Sequence, residues 1–411
     1  MQNIYKLLIK LSFSLIIFGY FLFPWKINQG TAIIGIGLIV WSVLSLRSEE
    51  ISKWIKDPLT ILMSVFLLIC ALQTLNTPKD WAASASDSVS KYYKYAFSII
   101  AIAAMNDKRI RDTSIKTFFA SIWLIVISMH LNIFFNLPWS NTTTKGWGND
   151  QTVVGDYITQ NLFVCLFIIL SLDFFRKSIN RYQKLFFGTS FLLGIHAIIF
   201  LSIGRTGYLL ITSALGIYVL WAIRSKWKWL TLLTLIGSVS IAIFSSQHAS
   251  DRVKLALTEA NLAIVAIKND EAPDLTSIGA RIYMWDQTLK IIAQKPLMGW
   301  GVGSYPHQWC KTVPEAWCNE TSKYHPHNQY LMFWVELGSA GLIIFLFILW
   351  YLMYKGMKDK ENGGVLLALI TILIIDSFIN SPLYVRREYQ FFLLCIPLVY
   401  SYIKDSPREI K

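Results

Sequence analysis

Twelve stretches of mostly apolar residues, each close to the length of one bilayer crossing, dominate the chain and restrict what it can fold into. A hydrocarbon layer about 30 Å thick needs about 20 helical residues per crossing, and inside it every backbone donor and acceptor must be satisfied within the segment. The stretches lie at 7–25, 30–46, 58–75, 91–105, 115–137, 157–175, 184–203, 206–223, 228–246, 329–354, 363–381 and 389–403. The first is read as a retained helix, because it ends at Pro24-Trp25 without a small-residue cleavage site. With 54% hydrophobic and 15% charged residues over 411 positions, the expected fold class is an all-α polytopic membrane protein. It would have about 12 transmembrane helices and one large, mainly helical outer loop.

The formal net charge of +13 raises the question of nucleic acid, and the placement of the basic residues answers it. With both termini cytoplasmic, 22 of the 38 Lys and Arg fall on inward segments, eight on short outer segments and eight on one long outer loop. Only short segments count toward orientation, so the excess is a topology signal and no nucleic-acid partner is expected. The long segment, residues 247–328, contains two helical patterns at 251–268 and 278–293, suited to lying across the membrane surface as a lid. The expected organisation is helices 1 to 9 in residues 1–246, a loop domain in 247–328, and helices 10 to 12 with a short tail in 329–411. A second outer loop, 138–156, is rich in Asn, Thr, Gly and Trp, which suits contact with sugar and equally suits plain turns.

Five cysteines occur. Cys70, Cys165 and Cys395 fall in apolar helices and read as small buried hydrophobes. Cys310 and Cys318 stand in the long loop, where an oxidising compartment favours a disulfide. Zinc, with His307, His325 and His327 nearby, is the competing reading, but the spacings match no common structural zinc pattern and no metal is expected. A phosphate loop of the G-x4-G-K-[ST] type is absent from the sequence, so phosphate chemistry on the outer side would rest on arginines. Arg205 stands between Gly204 and Gly207, Arg281 opens the second loop helix, and Arg386 with Arg387 follow the eleventh crossing, where snorkelling is an equal account. His130 and His196 read as satisfied core residues. His327 and Asn328 begin the tenth crossing, and a plain helix cap is the simplest explanation of the pair. Glu336, about 13 Å further along that helix, and Asp376 in the eleventh crossing argue for more, because intramembrane carboxylates are costly unless they pair or line a polar cavity. Glu336, Asp376, Arg205 and His327 are expected to converge on one outward-opening cavity.

His327-Asn328, nine residues, then Gly338-Ser339-Ala340-Gly341 resembles the H-[NSQ]-x9-G-x-x-[GTY] signature of bacterial O-antigen ligases and their polymerase relatives. The "GRTG" around Arg205, the R-x3-W from Arg281 to Trp285 and "KPLMGWGVGSYP" at 295–306 are similar to further stretches of that superfamily. The resemblance implies a metal-independent, inverting glycosyltransferase of the GT-C type, without cofactor, in the bacterial inner membrane, with its loop domain and active site in the periplasm. It implies a donor glycan on undecaprenyl pyrophosphate and, for a ligase, a lipid A core sugar as acceptor. Carried over residue by residue, it makes His327 the catalytic group and Arg205 and Arg281 the donor pyrophosphate ligands. Asn328, Glu336, Asp376 and Trp285 are expected in support. A polymerase, a protein oligosaccharyltransferase and a lipid-linked glycan transporter are the alternatives.

Overall fold

The computed structural model describes residues 2–45, 55–234, 237, 247–318 and 324–403. Among these the regular structure is helical throughout. The first half contains α1 (Gln2–Leu22), α2 (Ile27–Ser45), α3 (Pro58–Leu75), α4 (Ala82–Tyr92), α5 (Tyr95–Ala104), α6 (Lys108–Leu131), α7 (Tyr157–Lys177), α8 (Arg181–Phe200) and α9 (Arg205–Ala222). The long loop folds into α10 (Gln247–Lys268), α11 (Ser277–Gln294), α12 (Tyr305–Thr312) and α13 (Glu315–Cys318). Three helices follow: α14 (Gln329–Lys358), α15 (Gly363–Ile379) and α16 (Arg386–Ile403).

Seven helices, α1, α2, α3, α6, α7, α8 and α14, are long and apolar enough to cross a membrane, and α9 and α15 are shorter apolar helices. The fourth expected crossing, 91–105, is instead the ten-residue α5, which follows α4 after a break at Tyr93-Lys94. The ninth, 228–246, lies largely outside the described residues, although 227–234 are helical. Side-chain caps set many of the starts: Asp57 accepts from the amides of Leu59 and Thr60, Asp107 from Arg109 and Ile110, and Asp156 from Thr159.

α7 is the centre of the bundle, buried on every side from Leu162 to Leu170. A helix that is apolar all round belongs in such a position. α6, α8, α9, α15 and α16 pack against it, and α14 lies along α3 and α15. The two main loop helices, α10 and α11, pack on each other, and α11 reaches the bundle through α14. The loop domain also docks on the turn before α4, where His307 stacks on Trp81 at 4.7 Å and meets the Ser84 hydroxyl at 2.9 Å. Cys310 and Cys318 are joined by a disulfide with their Cα atoms 4.8 Å apart, tying α13 to α12. Residues 138–156 turn back on themselves, with the Asn141 amide donating to Val153 and the Thr142 amide to Thr152.

Candidate functional site

The stretch His325-Pro326-His327-Asn328 delivers the chain from the loop domain into α14. Asn328 caps that helix, its Oδ1 accepting from the Leu331 amide at 3.0 Å and its Nδ2 donating to the Phe378 carbonyl at 3.3 Å. Entering the cap from the Pro326 side puts His327 at φ 48°, a left-handed conformation that few non-glycine residues adopt. Such a backbone costs on the order of 1–3 kcal/mol and persists only where its surroundings impose it. Here Trp285 Nε1 donates to the His327 carbonyl at 3.3 Å, and the His327 amide donates to Nδ1 of His325 at 3.3 Å. The strained turn thus presents a partly exposed imidazole at the mouth of the helix.

Arg281 stands one helical turn before Trp285 on α11, so the two share a face. Its Nη1 donates to the carbonyl and hydroxyl of Ser277 at 3.0 and 3.1 Å, and its charge acts on His325, His327 and Asp376 alike. Burial, reinforced by Arg281, brings His327 down from 6.5 to about 4. Burial also holds His325 well below the ordinary histidine range, with His327, Lys91 and Arg281 adding to it. Both rings are therefore neutral at physiological pH, able to accept a proton. Asp376 is fully buried in α15, and neither of its carboxylate oxygens has a hydrogen-bond partner from the protein. A carboxylate left that way in a nonpolar surround is expensive, and a site for polar substrate is the usual reason to keep one.

Glu336 has a different set of duties from those expected of it. One oxygen accepts from the Tyr92 hydroxyl at 2.7 Å and the other from the Gly303 amide at 2.9 Å, within a break of α14 at Gly338, which has φ 67°. The 295–303 stretch fills this break. The Trp300 amide donates to the Val335 carbonyl at 2.8 Å, the Ser339 amide to Leu297 at 3.1 Å, and the Ser339 hydroxyl to Pro296 at 2.7 Å. A Cβ on Gly299 would stand 2.5 Å from the Gly338 nitrogen, so two glycines are needed for the crossing. One oxygen of Glu336 is thus spent on the loop domain and the other on α4.

Arg205 is the first residue of α9, whose amino-terminal turn has no side-chain cap. The glycines on either side of it approach Asn161 of α7: a Cβ on Gly204 or Gly207 would meet Asn161 Nδ2 at 2.7 or 2.6 Å. Asn161, 1% exposed, has no protein partner on either amide atom. α7 packs against both α9 and α15, the helix that carries Asp376. Asn161 escaped the sequence reading, although the Gln160-Asn161 pair interrupts an apolar crossing. Of the remaining candidates, Arg387 pairs with Asp156 at 2.8 Å, and His130 with His196 at 3.1 Å.

Residues 189–346, which contain the α9 start, the loop domain and the helix break, match the family described as O-antigen ligase. An uncharacterized protein of Haemophilus influenzae is 27% identical over 54% of this chain and 55% of its own length. A putative polysaccharide ligase of Rickettsia conorii is 32% identical over 21% of each chain. The ComP-specific O-oligosaccharyltransferase of Acinetobacter baylyi is 26% identical over 33% of this chain and 24% of its own. The chain thus spans about half the length of the first of these relatives and a fifth to a quarter of the others. The stretch of the chain that builds the turn at His327 and the break at Gly338 lies within the residues that match the O-antigen ligase family.

Proposed function

We propose that this protein is a glycosyltransferase of the inner membrane that moves O-antigen polysaccharide from undecaprenyl pyrophosphate to a sugar of the lipid A core, completing lipopolysaccharide at the periplasmic face. Residues 247–328 are then the periplasmic loop domain and both termini are cytoplasmic. The observation that carries this reading is the neutral imidazole of His327, held at a strained turn within the field of Arg281, inside the O-antigen ligase match.

The chemistry is a single displacement. The acceptor hydroxyl oxygen forms a bond to the anomeric carbon, the bond from that carbon to the pyrophosphate oxygen breaks on the opposite face, and the hydroxyl proton passes to His327. Inversion at the anomeric carbon follows. Arg281 and Arg205 take the charge on the departing pyrophosphate, which guanidinium groups bind bidentately, so neither metal nor cofactor is called for. Donor binding also corrects the low basicity of His327: an anion beside Arg281 offsets the positive charge that presses the imidazole down, so its proton affinity rises once the donor is in place. Asp376 and Asn161 offer their unpaired atoms to sugar hydroxyls.

The test is deletion of the gene in its host. Polymerised O-antigen should accumulate on undecaprenyl pyrophosphate while lipid A core is left without it. A core carrying a single repeat unit would instead identify a polymerase. The Acinetobacter relative, by its name an oligosaccharyltransferase, motivates a second reading in which the acceptor is a protein hydroxyl; loss of glycoprotein with intact lipopolysaccharide would select it.

A further inference from the structure

The loop domain encloses a polar cavity of about 350 Å³ between the turn that joins α10 to α11 and the segment that joins α12 to α13. That volume falls within the range of ligand pockets, about 300–1,000 Å³, and has room for a sugar ring. Tyr283, Gln287 and Lys290 of α11 form one wall, at positions i, i+4 and i+7 of the helix. Residues two apart on a helix point about 160° away from each other. The cavity therefore lies on the opposite side of α11 from Arg281 and Trp285, across a helix about 10 Å wide. Asp270 and Glu271 form the second wall, fixed by the way α10 ends: the Glu271 amide donates to Ala266 at 2.9 Å and the Asp270 amide to Ile267 at 3.1 Å, with Asp270 at φ 57°. Thr312 and Pro314, inside the loop that the Cys310–Cys318 disulfide closes, form the third. Two of the lining side chains are more than nine-tenths buried and keep a polar atom unused. Tyr283 is 5% exposed, its ring packed on Trp317 at 4.6 Å and Trp309 at 6.3 Å, and its hydroxyl has no partner among the described residues. Gln287 is 7% exposed; its Nε2 donates to Asp286 at 3.0 Å, and its Oε1 has no partner among the described residues.

We propose that this cavity is a second glycan subsite, which grips one neutral or amino sugar of a lipid-linked chain at a distance from the bond being made. The assignment rests on the reading of the protein as a glycan transferase. Sugar hydroxyls need acceptors for their protons, and the Asp270 and Glu271 carboxylates and Gln287 Oε1 supply them, while the Tyr283 hydroxyl can donate to a sugar oxygen. Lys290 is paired with Asp286 at 3.0 Å, whereas Asp270 and Glu271 form no ion pair among the described residues, so the uncompensated charge at the cavity is negative. That charge selects against uronate and phosphorylated units, which would meet like charge without a counterion. It also keeps pyrophosphate away. α11 thus divides recognition between its two sides, a guanidinium toward the catalytic turn and carboxylate acceptors toward the cavity. The polysaccharide of the donor and the oligosaccharide of the core both offer sugars of this kind, and the chemistry they share is what the cavity would read.

The test uses the full-length protein in detergent and two probes, core oligosaccharide and the same core carrying O-antigen, each freed from lipid A of the host by mild acid. Affinity is measured by isothermal titration. The wild-type protein should bind at least one probe: binding of the bare core identifies the acceptor as the source of the sugar, and binding of the O-antigen-bearing probe alone identifies the polysaccharide. Tyr283→Phe keeps the ring on its tryptophans and removes only the hydroxyl, and Glu271→Gln alters an exposed side chain, so both variants should fold. Each should weaken the Kd by about fivefold or more. Inorganic pyrophosphate should not displace the saccharide, because Arg281 lies on the other side of α11. In turnover assays both variants should raise KM for the matching substrate more than they lower kcat, the mark of binding lost away from the reacting atoms. Binding of neither probe, unchanged affinity in both variants, or displacement by pyrophosphate overturns the subsite. A gene deletion that leaves lipopolysaccharide and glycoprotein unaltered overturns instead the transfer reading; saccharide affinity is measured without turnover, so the two failures are told apart.

Discussion

At His327 three demands meet on one residue: a left-handed backbone, a ring pressed toward neutrality and the proposed role of proton acceptor. His327→Ala relieves the ring's desolvation and keeps the turn, so the variant should remain in the membrane at normal abundance and lose transfer altogether, read by immunoblot and by lipopolysaccharide gel. Because burial and Arg281 lower the proton affinity to about 4, the group accepts protons over the whole range above that value. The sign for stability follows: between about 4 and the ordinary histidine value of about 6.5 the unfolded chain binds the proton more readily, so this residue's contribution weakens as pH falls through that window. Arg281→Gln removes the opposing charge, and the acid limb of the residual activity should move up toward 6.5; a limb that stays in place would mean that Arg281 does not act on the imidazole. Arg281→Lys keeps the charge, loses the bidentate fork and should lose most turnover with little change in that limb. His327 was marked in the sequence by the spacing to Gly338 on which the resemblance rests. Asn161 was not, because its neighbours come from other helices, and which polar atoms meet is decided by how the helices pack.

The break in α14 explains the fixed spacing between the histidine and the glycines. Nine residues of helix rise about 13 Å, and that half-crossing carries the chain from the lip at His327 to Gly338, where the helix opens and receives the 295–303 stretch. Sequence periodicity reads 329–354 as one uninterrupted crossing, since apolar residues continue on both sides of Gly338 and the interruption comes from hydrogen bonds supplied by another part of the chain. α5 shows the converse: an apolar run of crossing length broken at Tyr93-Lys94, leaving ten residues of helix. Gly338→Ala and Gly299→Ala each force a side chain into a left-handed backbone and into the facing strand of main chain, so each should lower the thermal midpoint of the detergent-solubilised protein by an amount equivalent to about 1–3 kcal/mol. Gly35→Ala, whose added carbon would lie 3.7 Å from Phe97 in ordinary contact, should leave the midpoint unchanged or raise it slightly. Equal behaviour of all three would show that the break contributes nothing to stability.

Over the whole molecule, helical class and the presence of a folded loop domain could be read from apolar length and charge placement, whereas the number of crossings could not, because short helices such as α5 and α15 have lengths that packing sets. The loop domain and the bundle also do not divide where the apolar pattern changes. Residues 296–303 bond to Trp334, Val335, Glu336 and Ser339, so the first part of α14, up to its break, is fastened to the loop domain. The unit that an ancestor could pass on intact, or that a recombination event could move between relatives without harm, therefore runs past His327 and ends at Gly338. A chimera that imports 247–338 from a relative should fold and keep a functional turn, while one that stops at 328 should combine a foreign cradle with a native helix half and be recovered in lower yield. Modular exchange in such proteins would then leave its seams inside a transmembrane helix, at a glycine.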